Sequence, residues 1–181
     1  MKVATQTSPA VTTASHSAHF SPLARKPRSA AHIRLFENAV KPDTIDDDID
    51  TVIDYPETPA GRKAYMSSKT GRPVTEFQYR VYDLCKQVPR GHFTTYKAMA
   101  DHMGSGSRAV GNALAKNPFC PLPIPCHRVL TSDYYIGGFS GDKKSKIFWK
   151  KAKLEKEGLR FDDSGFVDAG MQGARFFNSF K

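Results

Sequence analysis

The sequence predicts an α/β or mainly α domain built around a helix-turn-helix, with a short and poorly defined N-terminal region before it. Three observations point there. An apolar set at helical spacing starts at Phe77. Two short helical stretches follow, joined across a glycine-containing turn. A brief apolar run, "IPCHRVL", then precedes one more helix. Helix-turn-helix units are marked by this pairing of short helices around glycine.

Along the chain, residues 1–31 are rich in Ser, Thr, Ala and Pro without helical or strand periodicity. Such composition buries too little apolar area to offset ordering entropy, so a disordered tail is expected. The first acidic residue is Glu37, and the Ser-rich start contains "ARKPRSA". Those features are shared with organelle transit peptides and nuclear signals, although no amphipathic helix accompanies them. Residues 32–74 form a segment of open structure: "IDDDIDTVIDY" allows a short strand, and "GRKAYMSSKTGRP" reads as turns. No second core is expected there.

From residue 75 the periodicity sharpens. Phe77, Val81, Leu84, Cys85 and Val88 recur at helical spacing, with Thr75 as N-cap and "VPRG" as the stop. Cys85 lies on that apolar face and reads as core. In "TTYKAMADHMGSGSRAVGNALAKNP" a first helix is expected over Thr95 to Met103, a turn at Gly104-Ser105-Gly106, and a second helix over Ser107 to Lys116, ended by Asn117-Pro118. The second helix presents Arg108, Ala109, Gly111 and Asn112, mostly small. Glycine inside a helix costs roughly 1 kcal/mol against alanine. Small residues let a helix backbone approach a neighbouring element or a nucleic-acid groove. "IPCHRVL" reads as a short buried strand and "SDYYIGGFSGDKKSK" as turn and loop. "IFWKKAKLEKEG" reads as the final helix, with Ile147, Phe148 and Leu154 inward and Gly158 as C-terminal cap. "LRFDDSGFV" is expected to return as a strand. The domain is thus placed at 75–167, with 168–181 as a C-terminal tail.

Composition narrows the function classes. No apolar run approaches the roughly 20 residues of a membrane helix, and no apolar segment with a cleavage site opens the chain. Neither a membrane nor a secretory role is expected. Three cysteines, Cys85, Cys120 and Cys126, leave one unpaired in any intrachain disulfide scheme, which suits a reducing compartment. The formal net charge is +9, and residues 76–160 hold 15 basic against 7 acidic side chains. A basic domain suits a polyanionic partner, because neutralised phosphates release condensed counterions. A merely soluble basic surface gives the same count.

Cys126 and His127 are the chemical focus. Three readings stand: a reactive centre, half of a metal site, or a buried cysteine beside a capping histidine. Structural zinc takes four Cys or His ligands, often in Cys-x-x-Cys pairs, and Cys120 with Cys126-His127 lacks that spacing, so no metal is expected. A free thiol near pKa 8.5 is little ionised at neutral pH and needs a base or cation to be nucleophilic. In a strand, Cys126 and His127 would point to opposite faces, making a bridging water the natural link. Arg128 would share the face of Cys126, or tie loops together through a carboxylate or carbonyls. Glu157 ends the last predicted helix, where the dipole disfavours a carboxylate by about 0.3–1 kcal/mol. Lys156 could offset that cost, or Glu157 could orient a histidine in a nucleophile relay.

Taken together, "SRAVGNALAKNP", "IPCHRV", "IGGFSG" and "KLEKEGL" resemble the C-terminal domain of the O6-alkylguanine-DNA alkyltransferases, most of all the short fungal-type members. The resemblance spans roughly residues 75–167 and implies a winged helix-turn-helix-like domain. It implies a methylated-DNA–protein-cysteine S-methyltransferase that flips O6-alkylguanine from duplex DNA through the minor groove. Such a protein keeps the alkyl group on its own cysteine, in a single turnover, as a monomer without cofactor. The resemblance makes Cys126 the nucleophile, His127 its base through a water, and Glu157 the residue orienting His127. It makes Asn117 the holder of the turn before the active-site cysteine. Tyr96 would help rotate the nucleotide and donate to the leaving base, flanked by Thr95 and Lys97 on the DNA side. Arg108 would fill the vacated stack, with Ala109 and Gly111 on the groove-facing surface. Val129, Phe139, Ser140 and Tyr96 would line the base pocket. This sequence departs at Phe139, where tyrosine is common, in a stretch from Asn117 to Cys126 one residue longer, and in a longer loop after Ser140. Nothing in the N-terminal region matches the family's usual N-terminal domain or its zinc-binding cysteines. A nuclear location is expected in a eukaryote, a cytoplasmic one otherwise, with organelle targeting by the tail as the lesser option.

Two other readings differ in class. A non-enzymatic sensor of the alkyltransferase-like type carries Trp in place of the nucleophile, and Cys126 argues against it. A helix-turn-helix regulator would read the major groove as a dimer with long polar side chains, which the small-residue helix fits poorly.

Overall fold

A computed structural model describes residues 52–139 and 146–181. The tail at 1–31, most of the acidic stretch and Ser140 with its following lysines lie outside the described residues. The architecture is mixed α/β, mostly helical with one small sheet. Helix α1 spans Pro59–Ala64, α2 Glu76–Lys86, α3 Tyr96–His102, α4 Ser107–Ala115, α5 Lys146–Lys156 and α6 Ala169–Arg175. Strands β1 (Thr94–Thr95) and β2 (Val129–Leu130) pair in parallel, Thr94 opposite Val129 and Thr95 opposite Leu130. No described helix is long and apolar enough to cross a membrane.

Helix α2 starts where the sequence places it. Thr75 Oγ1 accepts from Gln78 N while the Gln78 side chain accepts from Thr75 N, a reciprocal cap. Its buried face is Tyr79, Val81, Tyr82, Leu84 and Cys85. Helices α3 and α4 form the helix-turn-helix, turning at Gly104, whose φ of 61° is the left-handed region. Val110, Ala113 and Leu114 of α4 face inward, against α2 and α3.

Two apolar clusters result. One joins α2, α3 and α4 to Phe119, Ile124, Cys126 and Val129. Phe119 is fully buried, edge-on to Tyr55 and Tyr82. The other gathers Phe93, Leu130, Tyr134, Ile136, Ile147, Leu154, Leu159 and Val167.

The structure departs from the sequence reading in five places. "GRKAYMSSKTGRP" is not turns throughout: α1 covers Pro59–Ala64, and its Arg62 grips Asp83 of α2 at 2.7 and 2.9 Å. Tyr55 and Val74 enter the main core, so part of the 32–74 segment is integral to it. "IPCHRVL" is not a strand from its start. Cys126–Arg128 is a 3₁₀ turn, because proline at position 125 lacks the N–H a ladder needs and the strand begins only at Val129. "LRFDDSGFV" forms no ladder but isolated bridges, Phe161 to Val167 and Phe166 to Tyr135. A turn at Asp162–Gly165, tied by the Asp162 carboxylate to Ser164 N and Phe166 N, interrupts it. Beyond it, α6 is the last helix. Phe93 N donates to Arg175 O and Phe177 N to Phe93 O, so the stretch read as a C-terminal tail docks on the domain.

Candidate active site

The parallel β1–β2 pair sets the site. It lays the start of α3, and therefore Tyr96, alongside the chain leaving the Cys126 turn. Asn117, buried at the exit of α4, holds the intervening loop. Its Oδ1 accepts from Phe119 N at 2.9 Å and its Nδ2 donates to Ile124 O at 3.4 Å. The same side chain helps to lower the Cys126 thiol.

The 3₁₀ turn changes the geometry inferred from a strand, in which alternate side chains oppose. His127 and Arg128 instead converge on one carboxylate. His127 Nε2 lies 2.9 Å from Glu157 Oε1. Arg128 Nε donates to Glu157 Oε2 and its Nη2 to Oε1, each at 2.9 Å, while Nη1 donates to Val88 O at 2.7 Å. Arg128 thus ties loops together through both a carboxylate and a carbonyl. Gly91 N approaches Glu157 Oε2 at 3.4 Å. Gly91 has φ 74°, and a Cβ there would meet the Glu157 carbonyl at 2.9 Å, so only glycine fits.

Charge states follow from this packing. Burial raises the cost of ionising Glu157, but His127 and Arg128 outweigh it and hold the carboxyl at about 2. Burial pushes His127 down to about 4 against the pull of Glu157, so the ring is neutral at pH 7. A carboxylate only accepts, so Nε2 carries the ring proton and Nδ1 the lone pair. Nδ1 is buried and has no hydrogen-bond partner among the described residues. The site therefore holds an unoccupied basic nitrogen one residue from a thiol.

Cys126 itself is 5% exposed. Burial opposes its ionisation, but the hydrogen bond to Cys120, the charge of Lys150, the Asn117 contact and Lys69 together bring the thiol below its usual range. Cys120 Sγ lies 2.7 Å from Cys126 Sγ, and the hydrogen bond between the two, with burial, raises the Cys120 thiol. Sequence reasoning missed Lys150. It is fully buried on the apolar face of α5, three residues after Ile147 and four before Leu154, and donates to Val129 O at 2.8 Å and Gly138 O at 3.4 Å. A lysine in register with that apolar stripe is the signal that could have found it. Burial pushes its pKa down to about 7.

The remaining residues are placed as follows. Tyr96 is half-buried, with its ring 3.9 Å from where a Cβ of Gly111 would stand. Gly111 thus faces Tyr96, and the outward surface of α4 is Ser107, Arg108, Ala109 and Asn112, all exposed. Thr95 is buried, and its hydroxyl caps α3 by accepting from Ala98 N at 3.1 Å, so its side chain is not a surface contact. Lys97 is exposed and paired with Asp101 at 2.7 Å. Val129 is buried, its carbonyl engaged by Lys150. Phe139 stacks on Trp149 at 4.7 Å. No cluster of three or more His, Cys, Asp or Glu suited to a metal occurs among the described residues.

Residues 76–159 match the family model for 6-O-methylguanine DNA methyltransferase, DNA binding domain. That segment, a little under half of the chain, carries a domain similar to the DNA-binding domain of the 6-O-methylguanine DNA methyltransferases. The match runs from the first residue of α2 to Leu159 and so contains Cys126, His127, Arg128, Lys150 and Glu157. A methylated-DNA–protein-cysteine methyltransferase of Methanothermobacter thermautotrophicus is 44% identical over 88 residues, covering 49% of this chain and 47% of that protein. One from Pyrobaculum aerophilum is 46% identical over 76 residues, covering 42% and 48%. The chain spans about half the length of these methyltransferase relatives. Among solved structures, the Pyrococcus kodakaraensis O6-methylguanine-DNA methyltransferase has 40% identity, covers 49% of this chain and 50% of that one, and gives a TM-score of 0.41. S. pombe Atl1 in complex with damaged DNA containing O6-carboxymethylguanine has 27% identity, covers 56% and 94%, and gives 0.46.

Proposed function

We propose that this protein repairs DNA by taking the alkyl group of an O6-alkylguanine onto Cys126, once per molecule. The observation that carries the reading is the 2.9 Å contact of His127 Nε2 with Glu157 Oε1, which assigns the ring proton to Nε2 and leaves the Nδ1 lone pair to take the thiol proton through a water. The Cys126 sulfur attacks the alkyl carbon, the new S–C bond forms, and the C–O6 bond breaks. Lys150 and Asn117 stabilise the thiolate beforehand, and the developing oxyanion on the base needs a donor as it leaves. The Tyr96 hydroxyl supplies that donor. The product thioether cannot be hydrolysed by any group in the site, so turnover stops at one.

The buried sulfur accepts a base only after that base leaves the stack. Flipping costs a few kcal/mol and is cheapest for poorly paired, damaged bases. Arg108, exposed on α4, fills the vacated space. The small outward residue Ala109 lets the helix settle into the minor groove, and the basic surface supplies phosphate contacts without reading sequence. The protein binds duplex DNA as a monomer.

The test is intact mass after incubation with a duplex carrying methylated guanine. A gain of one methylene, mapped to the Cys126 peptide and absent in Cys126→Ala, is expected, with DNA binding retained in the variant. Binding without any mass gain would assign the protein to damage sensing instead.

A further inference from the structure

Cys120 accepts no alkyl group in the proposed transfer, yet it lies directly against the sulfur that does. The two Sγ atoms are 2.7 Å apart, in a loop closed at one end by Asn117 and at the other by the 3₁₀ turn. The two sulfurs face each other in direct contact, which is the placement a disulfide requires. Cys120 is the more exposed of the two, and both are reduced in this structure. Cys85 is a third thiol but is wholly buried under α2.

We propose that Cys120 and Cys126 form a reversible redox pair that reacts with small hydroperoxides, Cys120 serving as the resolving thiol. The Cys126 thiolate attacks one peroxide oxygen: an S–O bond forms, the O–O bond breaks, and the departing hydroxide or alkoxide takes up the proton the thiol had released, leaving as water or an alcohol. Cys120 sulfur then attacks the sulfenic sulfur. The S–S bond forms, the S–O bond breaks, and the departing hydroxyl takes the Cys120 proton as a second water. The dithiol loses two electrons and two protons, and the hydroperoxide is reduced. A thiol reductant reverses the bridge by exchange through a mixed disulfide.

Two features of the site favour this order. The Cys126 thiol is lowered by its neighbours and is the one more readily ionised to meet the oxidant, while the Cys120 thiol is raised and keeps its proton for the second step. Sulfenic acid is the last readily reversible stage before sulfinic acid. A neighbouring thiol that captures it preserves a sulfur that can be used only once. This consequence rests on the alkyl-transfer reading, whereas the bridge itself does not.

The experiment treats the full chain with one equivalent of hydrogen peroxide and follows intact mass, followed by non-reducing peptide mapping. Loss of two hydrogens, with residues 120 and 126 bridged, is expected. Transfer from methylated-guanine duplex should be lost on oxidation and restored by dithiothreitol. In Cys120→Ser the same treatment should add one oxygen to Cys126 in place of the bridge, and several further equivalents of peroxide should leave a loss that dithiothreitol does not restore, whereas the bridged wild type is still restored. Wild-type protein that gains oxygen without losing hydrogens, or bridges through Cys85, would overturn the proposal. The wild-type mapping decides the matter even where the variant fails to fold. A protein that bridges but takes up no methyl group would refute alkyl transfer alone.

Discussion

Replacing Glu157 with glutamine probes the site most directly, because it keeps the shape and removes the charge. In the native protein both carboxylate oxygens accept: Oε1 from His127 and Arg128, Oε2 from Arg128 and, at 3.4 Å, Gly91 N. An amide turns one oxygen into a donor. At the Oε2 position it opposes Arg128 Nε–H and Gly91 N–H. At the Oε1 position it opposes Arg128 Nη2, and it can meet His127 only if that ring moves its proton to Nδ1. Breaking a buried ion pair from one side costs about 3–5 kcal/mol. Arg128 keeps Val88 O as a partner, which favours the lower end. Linkage gives a similar figure. The carboxyl falls from 4.5 to about 2 on folding, and at 1.36 kcal/mol per pH unit this is worth about 3 kcal/mol at neutral pH. The side chain is only 7% exposed, so solvent screening takes little from it. Urea unfolding at pH 7.5 should therefore show Glu157→Gln less stable by about 3 kcal/mol. Single-turnover methyl transfer should slow by about 10²–10⁴, the usual worth of a general base. An unchanged transfer rate in folded protein would refute the tautomer argument, and unchanged stability would refute the ion-pair argument.

Acid should destabilise the protein over a defined range. Burial lowers His127 to about 4, and His127 and Arg128, outweighing burial, lower the carboxyl of Glu157 to about 2, both below their unfolded values. Each contribution is present above the unfolded pKa and is lost as pH falls through the folded one. Urea midpoints should thus hold above pH 7, decline from about 6.5 through 4 as His127 is forced to charge, and decline further towards 2. A midpoint that is flat between pH 7 and 4 would contradict a buried neutral His127. Lys150→Met removes the buried ammonium and keeps the apolar stem. Iodoacetamide should then modify Cys126 roughly tenfold more slowly at pH 7, with the rate recovering at higher pH. An unaltered pH profile would show that Lys150 only braces the Val129 and Gly138 carbonyls.

Local signals carried most of the helical frame. Thr75 followed by Gln78 three residues later marks a cap whatever the tertiary context, and Gly104 marks the turn between α3 and α4. Helix α1 was hidden because its stability comes from elsewhere. It is six residues with no buried side chain, held by Arg62 reaching Asp83 and by Arg62 lying 4.8 Å from the Tyr79 ring. Contacts across such sequence distances leave no periodic trace. Within the site, Cys126, His127 and Glu157 could be named from motif resemblance, but their geometry could not. The strand assumed for "IPCHRVL" puts His127 and Arg128 on opposite faces, whereas the turn after Pro125 aims both at Glu157. Lys150 escaped notice because lysine on a basic helix ordinarily reads as surface, and Cys120 because six-residue spacing implies nothing without the loop that folds it back.

One carboxylate consequently serves both fold and chemistry. Glu157 follows directly on α5, and through Arg128 it holds the Val88 loop that leads from α2 to β1. The same group fixes the His127 proton. Any change that loosens the α5 terminus therefore reaches the thiol by way of the histidine, without touching the sulfur. Gly91 shows how little slack exists, since its backbone lies where a single added methyl group would strike the Glu157 carbonyl at 2.9 Å. A buried base whose orientation depends on a packed loop is already in place before substrate arrives, so the chemical step has little protein reorganisation to perform. Under the proposed function what must move is the DNA, and that reading draws the energy for it from α4, whose outward residues Arg108 and Ala109 are exposed, rather than from the buried site. It thereby assigns binding and chemistry to opposite faces of the helix-turn-helix. Substitutions on the outward face at Arg108 or Ala109 should act on capture of the base, and those at Glu157 or Lys150 on the transfer that follows.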